Sequence, residues 1–366
     1  MNSSDNGSRI QKGHINIINL FGTWKEMGCR YGSLMAGEIQ SMYRNGVEKH
    51  LIARMGLDVL FVKEQSYKFY ENYPYRYKQL LCGIAETCGL GMDELVMVNG
   101  LQRVLSLVNK NANSTSIAAW GDYAKDSLVY GRNYDNESWM SELSSNLVVS
   151  VFHPADGSLA VATIGYAGQI YVVNGMNEAG IMLSLNSAMY SGGALWYESR
   201  VPSVVKLFDF LLGSTNLDEL ETSIQTTKAN FAYLVGAVDS QSARFYEWPV
   251  FEVKRRESHS RQGLAVMSNH FTEPSWALPK PDDVTNGLTI SRRQNLLSLA
   301  KHFKGVIDEV VMMKMLDTKY EDLGATTEST LYQIVGIPET YKLWVKIPGH
   351  EEWTEINMKE YLCPEK

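Results

Sequence analysis

No run of ~18 apolar residues occurs in this chain, and its opening MNSSDNGSRIQKG is polar, without the apolar core of a secretory signal. The first absence excludes a membrane-spanning helix. The second makes a cytoplasmic location, with no membrane partner, the expectation. Cysteine is scarce: Cys29, Cys82, Cys88 and Cys363 lie at spacings that fit neither a disulfide framework nor a zinc motif, so free thiols are expected. The seven histidines contain no HExxH pair. No metal site is read, and nothing points to a cofactor. Long runs of one charge are missing too. The 34 basic and 41 acidic residues are interspersed, for a net charge of -7, which argues against nucleic acid as partner. Lys254-Arg255-Arg256 reads as a solvated strand end. What is present is the 45% hydrophobic content of a globular protein, in 366 residues that suffice for one large domain or two ordinary ones.

Residues 1 to about 113 read as mostly helical. After a strand near 14–20, residues 24–50 repeat apolar side chains at helical spacing, with Met27, Tyr31, Leu34, Met35, Ile39 and Met42 on one face. A second helical stretch is expected over 62–88, and a third from Met92 to Val108 with Asp93 as its N-cap. From Ser114 onward the pattern changes to short β-rich runs at about 115–121, 128–131, 147–152, 159–165, 170–173 and 181–186. Pro154-Ala155-Asp156-Gly157 and Asn177-Glu178-Ala179-Gly180 mark tight turns, so a mostly antiparallel meander is expected. Helices at about 202–212 and 217–226 precede strands at 232–239, 243–248 and 264–268. A helical pair at 291–301 and 305–315 precedes strands at 330–336 and 341–346. Strand blocks alternating with helix pairs fit two antiparallel sheets face to face with helices outside.

The chemistry concentrates around 111-NANSTSIAAWGDYAKDSLVYGRNYDN-136. A hairpin starting near Ser114 returns Arg132 and Asp135 to its neighbourhood. An Arg–Asp pair at a strand end is equally a plain structural ion pair. Serine needs a base to act as a nucleophile, and neither a His–Asp relay nor a Gly-x-Ser-x-Gly elbow accompanies it. A base appears if the chain is cut before residue 114: an α-amine, with a reference pKa of about 7.7–8.0, is partly unprotonated at neutral pH.

Phe21-Gly22-Thr23-Trp24-Lys25-Glu26-Met27-Gly28 with Tyr31-Gly32, then Thr115-Ser116-Ile117-Ala118-Ala119-Trp120-Gly121 and Gly131-Arg132-Asn133-Tyr134-Asp135, open a series of short motifs. Gly175-Met176-Asn177-Glu178-Ala179-Gly180 with Asn186, Ser268-Asn269-His270-Phe271, Ser291-Arg292-Arg293, Thr330-Leu331-Tyr332 and Leu343-Trp344-Val345 continue it. In this order the motifs resemble the acyl-coenzyme A:6-aminopenicillanic acid acyltransferase (penicillin acyltransferase) family of N-terminal nucleophile hydrolases. Choloylglycine hydrolases and penicillin V acylases are more distantly similar. The resemblance implies an α+β, four-layer αββα sandwich in one catalytic domain, built from a helical pro-segment, 1–113, and a catalytic segment, 114–366, that stay associated after cleavage between Asn113 and Ser114. It implies an autoprocessing amidohydrolase or acyltransferase acting on N-acyl amide bonds through an acyl-enzyme.

The family carries cysteine where this chain has Ser114. Three readings stay open: a natural serine enzyme, a serine in place of cysteine that holds the precursor uncleaved, and a non-catalytic relative that binds acylated ligands. On the resemblance, Ser114 is the nucleophile, Asp135 orients the α-amine, Arg132 tunes the nucleophile, and Asn186 and Asn269 are candidates for the oxyanion hole and substrate positioning. Arg292 is carried over as catalytic, with Arg293 beside it the competing choice. Thr115 and Ser116 are read as lining the substrate pocket or assisting cleavage, and His270 as a packing residue. The expected partner is a small N-acyl molecule; a homo-oligomer is compatible with the sequence.

Overall fold

A computed structural model describes residues 7–108, 114–191, 194–256 and 263–364. Along the chain these form β1 (Gly7–Lys12), β2 (Ile15–Gly22), α1 (Trp24–Leu34), α2 (Ala36–Ser41), a π-helix (Met42–Arg54), α3 (Val59–Tyr70), α4 (Tyr75–Thr87) and α5 (Met92–Val108). There follow β3 (Thr115–Ala119), β4 (Val129–Asp135), β5 (Leu147–Pro154), β6 (Val161–Tyr166), β7 (Asn174–Asn177), β8 (Met182–Ser187), α6 (Ser203–Gly213) and α7 (Leu217–Thr226). The last third holds β9 (Tyr233–Val238), β10 (Ala243–Trp248), β11 (Lys254–Arg256), β12 (Leu264–Met267), α8 (Thr289–His302), α9 (Glu309–Asp317), β13 (Thr330–Ile337), β14 (Lys342–Ile347) and β15 (Glu351–Asn357).

The chain forms two compact units: Met1–Asn109, Trp139–Asn177 and Glu198–Gly213 make the first, and Lys110–Ser138, Glu178–Tyr197 and Ser214–Lys366 the second. In the first, β1 pairs antiparallel with β2, β2 parallel with β5, and β5, β6 and β7 antiparallel in turn. Helix α1 starts at a capping box, in which Thr23 Oγ1 accepts the Glu26 N–H and the Glu26 carboxylate accepts the Thr23 N–H. The stretch expected at 62–88 is two helices. Pro74, lacking an N–H, ends the first run and caps α4. Asp93 is not the cap of α5 but a first-turn residue, drawn to Lys63 and Tyr67 of α3. The strand expected at 170–173 is absent and β7 lies just beyond. The N–H groups of Ile170 and Val172 are already spent on Asn99 Oδ1 and the Val204 carbonyl.

The second unit contains the whole six-stranded sheet β12-β3-β4-β13-β14-β15, antiparallel throughout. Opposite it stands the ladder β8-β9-β10-β11. Their facing sides meet where Tyr130 hydrogen-bonds Ser184 and where Gly236 packs on Met267. On the outer side of the six-stranded sheet, α8 and α9 bury Leu296, Met312, Met315 and Leu316 against Ile117, Val129, Val266 and Val335. Helix α7 lies along β10, with Glu221 paired to Arg244 and Trp248 Nε1 donating to the Thr227 carbonyl. Helix, sheet, sheet, helix is the αββα order read from the sequence.

The expected single meander from Ser114 onward is divided. β3 and β4 pair within the six-stranded sheet, while β5, β6 and β7 pair among themselves. β4 also runs four residues past its expected end at Gly131, because Asn133 and Asp135 continue the ladder with Gln333 and Thr330 of β13. Lys254-Arg255-Arg256 is the edge strand β11, with Arg255 exposed as expected of a solvated strand end, but Arg256 is buried in an ion pair with Glu247. All four cysteines are free thiols. Among the described residues no cluster of three or more His, Cys, Asp or Glu could hold a metal ion, and no helix is long and apolar enough to cross a membrane.

Candidate active site

The register of the β3–β4 hairpin sets the site. Thr115 lies opposite Asn133 and Ser116 opposite Arg132, so Ser114 stands beside the end of β4. There the Asp135 N–H points at Ser114 Oγ, at 3.5 Å, and Ser114 is only 5% exposed. Asn113, the other half of the expected cleavage site, lies outside the described residues.

Strand alternation separates the two charges of the Gly131–Asp135 motif. Tyr130 and Arg132 face the opposing ladder, where Arg132 Nη2 donates to the Leu185 carbonyl at 2.6 Å. Gly131 faces α9, and a Cβ there would lie 2.6 Å from Met312 Sδ. Asp135, on that same side, pairs with Arg292 of α8, Nη1 to Oδ2 at 3.0 Å, with both side chains fully buried. The motif is therefore not a strand-end Arg–Asp pair: the partner of Asp135 comes from 157 residues away. Of the two adjacent arginines, Arg292 is the one that reaches the site. Arg293 donates to the Val266 carbonyl instead.

Arg292 ties the site together. Its Nη2 donates to Asn269 Oδ1 at 3.1 Å and its Nε to the Gly287 carbonyl at 2.9 Å. The start of α8 is held by Asp283, whose carboxylate accepts the N–H groups of Ile290 and Ser291. Asn269 in turn donates its Nδ2 to the Ser187 carbonyl and its backbone N–H to Thr289 Oγ1, at 2.8 and 2.9 Å. Asn186 Nδ2 donates to the carbonyls of Ser114 (3.2 Å) and Ser268 (3.0 Å), and its Oδ1 accepts from Ser116 Oγ at 3.4 Å. Thr115, expected beside Ser116 at the pocket, points to the other face of β3. Its buried hydroxyl has no hydrogen-bond partner among the described residues.

Burial pushes the Asp135 carboxyl up from 3.8 to about 6, although the charge of Arg292, the neighbouring Thr330 hydroxyl and the charge of Arg132 pull it back. The guanidinium of Arg292 stays charged, so the carboxyl bears the cost of the buried pair. Among the described residues Asp135 Oδ1 accepts no hydrogen bond of normal geometry. The carboxyl stands at the end of the strand that flanks Ser114, with the Thr330 hydroxyl beside it. His270 is held neutral: burial, then the charges of Arg256 and Arg293, push it down to about 3. Its Nδ1 faces Ser268 Oγ and Thr289 Oγ1 at 3.2 and 3.0 Å.

The site thus gathers Ser114, Ser116, Asp135, Asn186, Asn269 and Arg292. Sequence reading missed Thr289, which fixes the backbone of Asn269, and gave Thr330, opposite Asp135, no place at the site. Thr289 sits three residues before Arg292, so a helix-start signal there was available. Thr330 opened a motif and an expected strand, but nothing local placed it beside Asp135.

Residues 123–193 match the model of the acyl-coenzyme A:6-aminopenicillanic acid acyl-transferase family. No curated protein sequence matches significantly. Among solved structures, the chain is similar to a Caenorhabditis elegans N-acylethanolamine-hydrolyzing acid amidase ortholog, at 17% identity over 64% of this chain and 94% of that one, with a TM-score of 0.46. A conjugated bile acid hydrolase from Clostridium perfringens aligns at 14% identity over 69% of this chain and 95% of that one, with a TM-score of 0.46. Penicillin V acylase from Agrobacterium tumefaciens aligns at 10% identity over 69% and 89%, with a TM-score of 0.42. The resemblance read from the motifs thus has its match in residues 123–193, where the chain is similar to the acyl-coenzyme A:6-aminopenicillanic acid acyl-transferase family.

Proposed function

We propose that this chain is an amidohydrolase or acyltransferase whose nucleophile is Ser114, freed as an N-terminus by cleavage after Asn113, and whose substrate is a small N-acyl compound. The observation that carries the reading is the buried Ser114 hydroxyl beside Asp135, a carboxylate with one oxygen paired to Arg292 and the other without a hydrogen bond of normal geometry among the described residues. A new α-amine at Ser114 has that second oxygen as its acceptor, which orients it over its own hydroxyl.

As Ser114 Oγ attacks the acyl carbon, its proton passes to the α-amine. The carbon–nitrogen bond then breaks, the proton moves on to the departing amine, and an acyl ester remains on Ser114. Water closes the cycle as hydrolysis; an acceptor amine closes it as transfer. The two asparagines divide the remaining work. Both hydrogens of Asn186 Nδ2 go to the carbonyls of Ser114 and Ser268, so Asn186 fixes the nucleophile's backbone. Asn269 spends one Nδ2 hydrogen on the Ser187 carbonyl, and the other serves the developing oxyanion. Arg132, with its head on the carbonyl next to Asn186, acts through charge rather than contact.

Intact mass of the purified protein, with turnover of a panel of N-acyl amides, tests the reading. A fragment beginning at Ser114 together with turnover supports a serine enzyme. An uncut, inactive chain that cleaves and turns over as Ser114→Cys supports a precursor held by serine, since a thiol of pKa ~8.5 ionises where an alcohol does not. A Cys variant that stays intact and inactive sinks both, and saturable binding of N-acyl compounds would then mark a non-catalytic binder.

A further inference from the structure

Glu247, near the end of β10, is an acid between aromatic residues in the strand ARFYEW, and it is 1% exposed. Its Oε1 accepts from Arg256 Nε (2.7 Å), the Thr272 N–H (2.7 Å) and the Thr272 hydroxyl (2.8 Å). Its Oε2 accepts the Glu273 N–H at 3.1 Å. Three of those four donors belong to the loop that leaves Asn269. Arg256 continues the clamp on the other side: Nη1 donates to the Val266 carbonyl and Nη2 to the His270 carbonyl, at 3.1 and 3.0 Å. The bonds of this one ion pair therefore fall on residues 266, 270, 272 and 273, and Asn269 lies between the first two.

A buried ion pair is a poor way to gain stability, because removing both charges from water costs about as much as their attraction returns. Its value here lies in direction. The carboxylate and guanidinium make five bonds of fixed geometry to residues 266–273, four of them to the segment that has left the sheet after Met267 and has no ladder to hold it.

We propose that Glu247 is a positioning residue that, through Arg256 and the 266–273 segment, sets the carboxamide of Asn269. This rests on the reading of Asn269 as the oxyanion donor, and it adds what holds that donor in place. Glu247→Gln keeps the shape but gives one acceptor position a donor, which opposes either the Thr272 or the Glu273 N–H and leaves Arg256 without its counter-charge.

The test combines kinetics with a signal independent of activity. In whichever form turns over N-acyl amides, wild type or Ser114→Cys, Glu247→Gln lowers kcat by about tenfold to a hundredfold with KM nearly unchanged. That is less than the ~100- to 1,000-fold typical of removing an oxyanion donor outright. In an Asn269→Ala background it lowers kcat no further, whereas a merely structural role gives the same fold-loss in both backgrounds. The side-chain amide signal of Asn269, assigned in asparagine-labelled protein through Asn269→Ala, shifts or broadens in Glu247→Gln. If Glu247→Gln does not fold, Thr272→Val, which deletes one donor, shows the same pattern at smaller amplitude. Equal losses in both backgrounds, or an unmoved Asn269 signal, overturn the proposal. If no form turns over any N-acyl amide, the amidase reading fails, and the Asn269 signal alone decides whether Glu247 positions it.

Discussion

Asp135 holds its proton in the folded chain up to about 6, whereas in the unfolded chain the carboxyl loses it near 3.8. The stability tied to this group is therefore fully present below 3.8 and is lost as pH rises through about 6. At 1.36 kcal/mol per pH unit, that interval corresponds to about 3 kcal/mol. A charged Asp135 is thus a cost borne at neutral pH for the sake of an oriented α-amine. In the uncut chain Asp135→Asn removes the titration, so the stability of the variant relative to wild type rises by up to about 3 kcal/mol between pH 4 and pH 7. Urea unfolding of both proteins at the two pH values measures it. A gap that does not change with pH would mean that burial does not raise this carboxyl. In the cleaved form the same substitution abolishes turnover, because a carboxamide can present its NH2 instead of an acceptor to the amine.

At the scale of elements, α1 and α4 cross with two glycines at the contact. A Cβ on Gly28 would lie 2.1 Å from the Leu80 carbonyl oxygen, and one on Gly83 would lie 2.2 Å from the Lys25 carbonyl oxygen. Backbone cannot yield as a side chain can, so Gly28→Ala pushes the helices apart and costs about 3 kcal/mol or more. Gly37, in α2 with nothing within 4 Å of its Cβ position, is the control, and Gly37→Ala gains about 0.5–1 kcal/mol. Thermal melts of the pair distinguish a close crossing from a general intolerance of alanine. Gly28 stood in a motif legible in the sequence, but its reason lay in α4, which periodicity alone fused to α3. The β3–β4 hairpin was legible for a similar reason: apolar runs and turn residues are local. What was not legible is set by distant partners. The polar residues 132–135 look like a strand's end because sequence does not reveal the buried groups that receive them, among them Arg292, Gln333 and the Leu185 carbonyl. The polar strands β1 and β15 escaped notice because solvated strands carry no apolar alternation.

For the molecule as a whole, the proposed cut after Asn113 divides the first compact unit between two chains. The N-terminal piece contributes β1, β2 and α1 to α5; the rest of that unit comes from beyond the cut. β2 pairs with β5 through seven consecutive residues, from Asn16 opposite Val148 to Gly22 opposite Pro154. Trp24 Nε1 donates to Asp156 at 2.8 Å, the Trp24 and Tyr77 rings pack on Phe208, and Arg103 pairs with Glu198 at 2.7 Å. Ile15, Ile17, Ile18 and Leu20 of β2 are buried, each worth about 1.5–3 kcal/mol if returned to water. Separation of the pieces would expose this core and leave β5 without a neighbour. The cleaved protein accordingly elutes from a sizing column at the position of the uncut chain, shows two bands only after denaturation, and unfolds in one transition for both pieces. Two native peaks would show that the 1–113 piece is a removable pro-segment rather than a subunit, and that β2 is not needed to keep the first unit folded.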